Sequence, residues 1–416
     1  MKRFYYITFT LLCIAVLSWV LPWLVSLCFP QSDRDPFVGF SPVNDKFIVS
    51  LATETGEPGK VEYKIWDVDP VTGETTTTYT TEERDSLLPE IYANQLASKG
   101  LMPDSLNGVE MTMHNIRRNR WMFNSQPRNL NRTVPHLYPL MESMPKRFDL
   151  ENPTVALYLP GEVQVIDMGT NSIDTLKTRR FAKMFADRGF VFPAKEASAN
   201  VTVRKAYDNG YLLIDANNDL YHLKMQANRP SMARIDHPAD ITPAHVFVLE
   251  NADRALYGIV TTLEGRTFVI ARDDYYSLIE LPGVVFNPET DRMTIIKNLF
   301  SWVIKVNDGD KSTWTALSSD DLSLIGTYSY EYPANTLDII EPWIFPFTTS
   351  FTTGNDYHVY PRIADFSWRA VFLNIVLALI LAVVLKRRES KCVWPKLIVT
   401  VIFGIFAFIP LILKLK

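Results

Sequence analysis

Cysteine is nearly absent from this chain of 416 residues: there are three, Cys13, Cys28 and Cys392, and each lies in or beside a long apolar run. No disulfide can therefore staple the 338 residues from 30 to 367, which must be held together by their own apolar core. Catalytic signatures are missing too. There is no His-Glu-x-x-His helix, no Gly-x-Ser-x-Gly elbow, no Cys-x-x-Cys and no glycine-rich phosphate loop. Positive charge is scarce between the apolar ends. Setting aside Lys2, Arg3 and the eight basic residues after Trp368 leaves 32 of the 42 cations, and setting aside Glu389 leaves 45 of the 46 acids, a net charge of about −13. That sign disfavours general binding to nucleic acid or anionic lipid. The expectation is a protein that is not an enzyme, with no catalytic residue, metal or cofactor to nominate.

What the chain has in quantity is apolar sequence at its two ends. Tyr5 to Phe29 follows Lys2 and Arg3, exceeds a signal-peptide core in length and lacks a small-x-small cleavage site, so it is expected to stay as an anchor. Leu27 before Cys28 argues against a lipid-modified cysteine. Trp368 to Leu385 and Val393 to Leu413 are each long enough, at about 1.5 Å per residue, to cross a hydrocarbon core of roughly 30 Å. Between them Lys386-Arg387-Arg388-Glu389-Ser390-Lys391 carries four cations, which places that loop in the cytoplasm and the preceding domain outside. Lys414 and Lys416 oppose the same rule at the C-terminus. The organisation expected is an anchor over 1–29, an extracytoplasmic domain over 30–367 and a transmembrane hairpin over 368–416: a multi-pass protein of a bacterial inner membrane, with three transmembrane helices and its large domain in the periplasm.

Within that domain the apolar pattern is mainly β. Lys46 to Leu51, Lys60 to Trp66 and Glu74 to Thr80 read as three strands of a meander, parted by Glu57-Pro58-Gly59 and by Asp69-Pro70 to Gly73. Helical spacing then places Leu87, Leu88, Ile91, Tyr92 and Leu96 on one face, with Asp85 or Ser86 as cap, Pro89 in the first turn and Gly100 as stop. This opens a helical insert over about 81–150. Hairpins follow at Val155 to Asp167, Tyr211 to Met225, Leu256 to Ala271 and Phe300 to Leu317, with a helix carrying Phe181, Met184 and Phe185 between the first two. Further strands are expected at Tyr275 to Leu281 and Leu322 to Tyr330. Groups of about four short strands every 40 to 50 residues are what a β-propeller requires. The fold expected is β-propeller-like and irregular, interrupted by helical inserts; a β-sandwich or stacked sheets are the alternative. The aromatic and proline-rich stretch from Pro342 to Pro361 then reads as packing at a membrane interface.

Several residues invite a functional reading. Asp215, Asn217 and Asp219 match the first ligand positions of a calcium loop, but Leu220 stands where that loop needs glycine, which leaves a hairpin turn. Asp308-Gly309-Asp310-Lys311-Ser312 lacks the leading glycine of a phosphate loop and is also a turn. His222, His237 and His245 are near enough in sequence to meet on adjacent strands, while His114, His136 and His358 are scattered. Arg117, Arg118, Arg120, Arg128 and Arg132 form the one concentrated basic patch, best read as pairing with acids of this domain or of a partner. Asn131-Arg132-Thr133 and Asn200-Val201-Thr202 are glycosylation acceptors only in a secretory pathway. In the apolar ends, Asn374, Gly404 and Pro410 interrupt otherwise plain helices, either to recognise other helices or to bond within this chain.

Phe40-Ser41-Pro42-Val43-Asn44-Asp45-Lys46-Phe47, Pro135-His136-Leu137-Tyr138-Pro139-Leu140-Met141-Glu142-Ser143, Arg188 to Lys195 and Gly210 to Asp215 with Tyr221-His222-Leu223-Lys224 resemble an uncharacterised family of inner-membrane proteins from Bacteroides-type bacteria, a domain of unknown function. The resemblance covers most of residues 36 to 365. It implies a companion of ABC transporter components, an ATPase and a permease, and carries over no catalytic residue. The function expected is a non-enzymatic, membrane-anchored periplasmic accessory subunit of an ABC-type transport or envelope complex. The alternative is a periplasmic sensor taking a small molecule or metal in a propeller-like pocket. The partners expected are the ATPase, the permease and the lipid bilayer, with no nucleic acid.

Overall fold

The structure, a computed structural model, describes residues 2–29, 35–54, 61–273, 275–334, 336–387 and 393–413. Arg388 to Cys392, Glu57-Pro58-Gly59, Lys414 and Lys416, on which expectations rested above, lie outside the described residues. The chain forms two compact units: Asp35–Glu331, and Met1–Arg34 with Tyr332–Lys416. Residues 332 to 367 thus group with the apolar helices and not with the β unit.

The terminal unit opens with α1 (Lys2–Cys28), apolar on all sides. The β unit begins with β1 (Phe37–Ser41), β2 (Lys46–Glu54), β3 (Val61–Val68) and β4 (Thr78–Tyr79), an antiparallel meander. The insert that follows is not one helix. Thr80 caps α2 (Thr81–Leu87) in a reciprocal capping box with Glu83, and α3 (Ala93–Ser98) is separate. Pro89, with no N–H to donate and a ring that crowds the preceding turn, falls between the two and not in a first turn. A small hairpin, β5 (Ser105–Leu106) with β6 (Val109–Glu110), leads to α4 (Met113–Asn119) and β7 (Trp121–Ser125). The segment expected to be helical therefore also contains strands.

The second sheet is β8 (Leu137–Leu140), β9 (Val155–Tyr158), β10 (Gln164–Asp167) and β11 (Ser172–Ile173), followed by α5 (Thr175–Asp187), which buries Phe181 and Phe185. The third is β12 (Glu196–Ser198), β13 (Tyr211–Ile214), β14 (Leu220–Gln226) and β15 (Arg229–Ile235). The fourth is β16 (Pro243–Val248), β17 (Leu256–Thr262), β18 (Thr267–Ala271) and β19 (Leu278–Glu280). The fifth is β20 (Arg292–Lys297), β21 (Ser301–Asn307), β22 (Lys311–Ser318) and β23 (Leu324–Glu331), with β7 added antiparallel to β20 so that Phe123 faces Ile295.

Apolar clusters join these sheets in series. Leu157 and Val165 pack with Leu213 and Leu223, linking the second sheet to the third. Leu212 and Ile214 meet Val246 and Val260, linking third to fourth. Ile259 and Val269 meet Met293 and Ile304, linking fourth to fifth, and Val303 and Trp314 meet Val38 and Phe47, linking fifth to first. The approach of fifth to first is close: a Cβ at Gly326 would lie 2.5 Å from the Pro70 carbonyl oxygen. Among the described residues no apolar cluster joins the first sheet to the second. The insert packs on the first sheet, covering Ile48 and Ile65 with Leu88, and reaches Leu299 and Phe300, between β20 and β21 of the fifth sheet, through Ile116. The unit is mainly β and β-propeller-like, with four-stranded meanders in sequence, but its ring of contacts is not closed.

The terminal unit continues with α6 (Thr336–Ile344), the short pair β24 (Thr348–Ser350) and β25 (Arg362–Ala364), α7 (Ala370–Arg387), α8 (Val393–Phe403) and α9 (Ile405–Leu413). Two described helices are long and apolar enough to cross a membrane, Ile7–Cys28 and Ala370–Arg387. The third span expected over Val393 to Leu413 is corrected: it is two short helices parted at Gly404, whose φ of 56° lies in the left-handed region. A continuous helix would need a right-handed residue there.

Candidate functional site

Among the described residues, the first strands of the second, third and fourth sheets, β8, β12 and β16, are each paired on one side only. They border a cleft of about 700 Å³. Tyr138, Tyr211, Val246 and Phe247 supply its apolar wall, and Arg132, Lys195, Glu196, His245 and Glu289 its polar one. Side chains of β12 satisfy the open edge of β16. Glu196 Oε1 accepts from the Val246 N–H at 3.1 Å and Ser198 Oγ accepts from the Val248 N–H at 3.1 Å. The other oxygen of Glu196 accepts from Nδ1 of His245 at 2.7 Å, and Nε2 of His245 lies 3.9 Å from Glu289 Oε1. Burial pulls the His245 imidazole down, but the hydrogen bond and charge of Glu196, with the charge of Glu289, outweigh it and leave the pKa above the ordinary histidine value. Both ring nitrogens face carboxylates, so this histidine is placed to hold a proton and not to take one from a nucleophile.

A second polar cluster lies where the β12–β13 and β16–β17 connections meet. Lys205 Nζ donates to Asp208 and to Glu250, both at 2.6 Å, with all three side chains nearly buried. Asp208 also accepts from Ser143 Oγ at 2.5 Å. Asn209, fully buried, is the hub: its N–H donates to Glu250 at 2.7 Å and its Nδ2 to the Leu249 carbonyl at 2.6 Å. Its own carbonyl accepts from His222 Nε2 at 2.5 Å, so Nδ1 of that ring is the acceptor of the Tyr276 hydroxyl at 2.9 Å. Burial first, then the charges of Lys224 and Arg272, pull His222 down to about 4, and it is neutral at pH 7.

The residues singled out in the sequence do not converge. His222 belongs to this cluster, His245 to the cleft, and His237 lies 3.7 Å from Asp219, so the three histidines have three different partners. Among the described residues no group of three or more His, Cys, Asp or Glu side chains is placed to hold a metal ion. Asp215 Oδ1 accepts from the N–H groups of Asn217 and Asp219, and Asn218 takes a φ of 66°, which is a hairpin turn. Asp308 does the same for Asp310 and Lys311. Of the basic patch, Arg117 and Arg118 are exposed on α4 and pair with no acid among the described residues, Arg120 donates to the Ile91 carbonyl at 3.3 Å, and Arg132 borders the cleft. The pairing expected within the domain is not what α4 does. Lys205, Asp208, Asn209, Glu250 and Glu196 were not foreseen. Their only sequence signal is charge set beside an apolar strand, as in Asp208-Asn209-Gly210-Tyr211, which is also the commonest look of a turn.

Among solved structures the chain is similar to the β-propeller domain of Cps50 (Swd1) from Myceliophteria thermophila, at 11% identity and a TM-score of 0.26, over 53% of this chain and 61% of that one. It is also similar to the Dos1 propeller, at 9% identity and a TM-score of 0.26, over 73% of this chain and 64% of that one. The chain thus spans a little under two thirds of each. No curated protein matches it. The pattern of a domain of unknown function, DUF4857, matches residues 37–317, which include all but the last strand of the β unit and both polar clusters. The chain belongs to the DUF4857 family.

Proposed function

We propose that this chain is a non-enzymatic accessory subunit of an ABC-type transport or envelope complex, anchored in a bacterial inner membrane with its β unit in the periplasm. The supporting observation is the division of the chain into a self-contained β unit and a terminal unit with two apolar helices of spanning length. Those helices expose large apolar side chains, among them Leu12, Trp19 and Trp23 of α1 and Phe372, Leu379 and Val383 of α7. Exposed apolar surface on this scale needs lipid or partner helices to cover it. An ATPase and a permease are the partners that the family resemblance suggests. Solubilising the full chain from its native membrane and identifying what copurifies tests this: an ATPase and a permease in stable ratio support it, and recovery of the chain without either refutes it. Reporters placed after residue 200 and after Arg387 should give periplasmic and cytoplasmic signals respectively.

A second reading is favoured by the cleft beside β8, β12 and β16, which has the volume of a small-molecule site. In that reading the β unit senses a ligand for the complex. Native mass spectrometry of the full chain should then retain a small molecule that Ala197→Trp, which fills the cleft, expels.

A further inference from the structure

We infer that Lys224 and Arg272 form a binding site for a single anionic group, a phosphate or carboxylate, at the junction of the third and fourth sheets. Lys224 Nζ and Arg272 Nη2 both donate to one neutral oxygen, Asn209 Oδ1, at 3.4 and 3.0 Å. Both cations also stand over the ring of Tyr257, at 5.7 and 4.6 Å from its centroid. Among the described residues neither forms an ion pair with a carboxylate. Asp208 and Glu250 are nearby, but their close partner is Lys205. Among the described residues the cluster therefore sets three cations, Lys205, Lys224 and Arg272, against two carboxylates in a part-buried place, where like charges repel more strongly than in water. Its neutral members cannot relieve the excess: His222 uses both ring nitrogens within the cluster, and Tyr276 is committed to His222. The Nε–H of Arg272 is buried with no acceptor among the described residues. A guanidinium that keeps donors in hand beside an ammonium group suits the oxygens of a phosphate or carboxylate, and one such group brings the cluster close to neutrality. Tyr207, under Arg272 and Arg254, and Tyr257 add flat aromatic surface beside the anion. The bound group belongs either to a soluble ligand or to a lipid headgroup, and the chemistry at the cations is the same.

The test uses the full chain in neutral detergent and follows thermal unfolding. Inorganic phosphate at about 10 mM should raise the midpoint beyond what chloride of equal ionic strength does, because a ligand bound only to the folded state stabilises it. Lys224→Met should weaken the phosphate response about tenfold or more, and Arg272→Lys should weaken it less. The order of stabilities should also cross. Without phosphate, Lys224→Met should unfold at or above the wild-type temperature, since it removes the unbalanced charge; with saturating phosphate it should unfold below. A purely structural Lys224 predicts the variant below wild type in both. A second arm replaces phosphate by a water-soluble short-chain phosphatidylglycerol: a stronger response than to phosphate assigns the site to a lipid headgroup, and an equal or weaker one to a soluble anion. Equal responses to phosphate and chloride, or a Lys224→Met response equal to that of wild type, overturn the proposal.

Discussion

Asn374 and Gly404 are fitted to one another: a Cβ built on Gly404 would lie 2.1 Å from Asn374 Oδ1, while Asn374 Nδ2 donates to the Val401 carbonyl at 3.0 Å. The glycine bends the last apolar run at a φ that disfavours any side chain, and the asparagine of α7 caps a carbonyl that the bend releases. Of the two roles open to Asn374 in the sequence, bonding within this chain is the one its amide nitrogen plays.

Gly404→Ala should therefore be costly. The left-handed backbone alone costs about 1–2 kcal/mol for an alanine, and displacement of Asn374 adds to it. Thermal unfolding of the solubilised chain should show a lower midpoint for Gly404→Ala, partly restored by adding Asn374→Ala, which removes the collision but not the backbone strain. A double variant no better than the single would show that the two residues are not coupled.

Glu90 is fully buried, accepts from Asn298 Nδ2 at 3.1 Å, and is pushed up to about 8 by burial, against the opposing pull of a hydrogen bond from its own backbone and of the Arg120 charge. The folded chain keeps a proton there that the unfolded chain releases near the ordinary value of 4.5, so stability falls as pH rises from that value to about 8. Glu90→Gln should flatten this slope. Denaturant midpoints measured from about pH 5 to about pH 9 should fall for wild type and hold steadier for the variant; parallel curves would show that Glu90 is not the group responsible.

His222 has the opposite dependence. The unfolded chain takes up a proton near 6.5 and the folded chain only near 4, so stability declines as pH falls through that interval. The penalty is complete below about 4 and is on the order of 3 kcal/mol. Replacing His222 with Gln, which also combines a donor with an acceptor, should remove most of this acid slope. If the slope persists unchanged, other groups cause it.

The sequence made the long hairpins legible because they alternate around strong turns: Tyr211 to Ile214 and Leu220 to Gln226 flank the Asp215 turn as expected. The first strand of most sheets was not legible. Leu137–Leu140 contains a proline, Glu196–Ser198 has three residues, and Pro243–Val248 carries a bulge, so none shows two full periods of alternation. These same strands border the cleft, and this is why the cleft could not be read. The 81–100 stretch has one helical face but two helices, because a periodic face records burial and not continuity of hydrogen bonding. The Asn209 hub is long-range: its partners at Leu249 and Glu250 are 40 and 41 residues away, beyond any local pattern.

The apolar join of Phe47 and Val49 to Val303 and Trp314 also sets an order of events. As the chain emerges from its N-terminus, the first sheet is complete at Tyr79, roughly 220 residues before the strands that cover it begin at Ser301, and β7 ends at Ser125, roughly 170 residues before β20 begins at Arg292. Such distant pairings are slow to form and leave apolar faces and strand edges open meanwhile. Assembly of the β unit is therefore closed last by its C-terminal sheet, and any truncation before Arg292 leaves the first sheet, β7 and the insert without their common support.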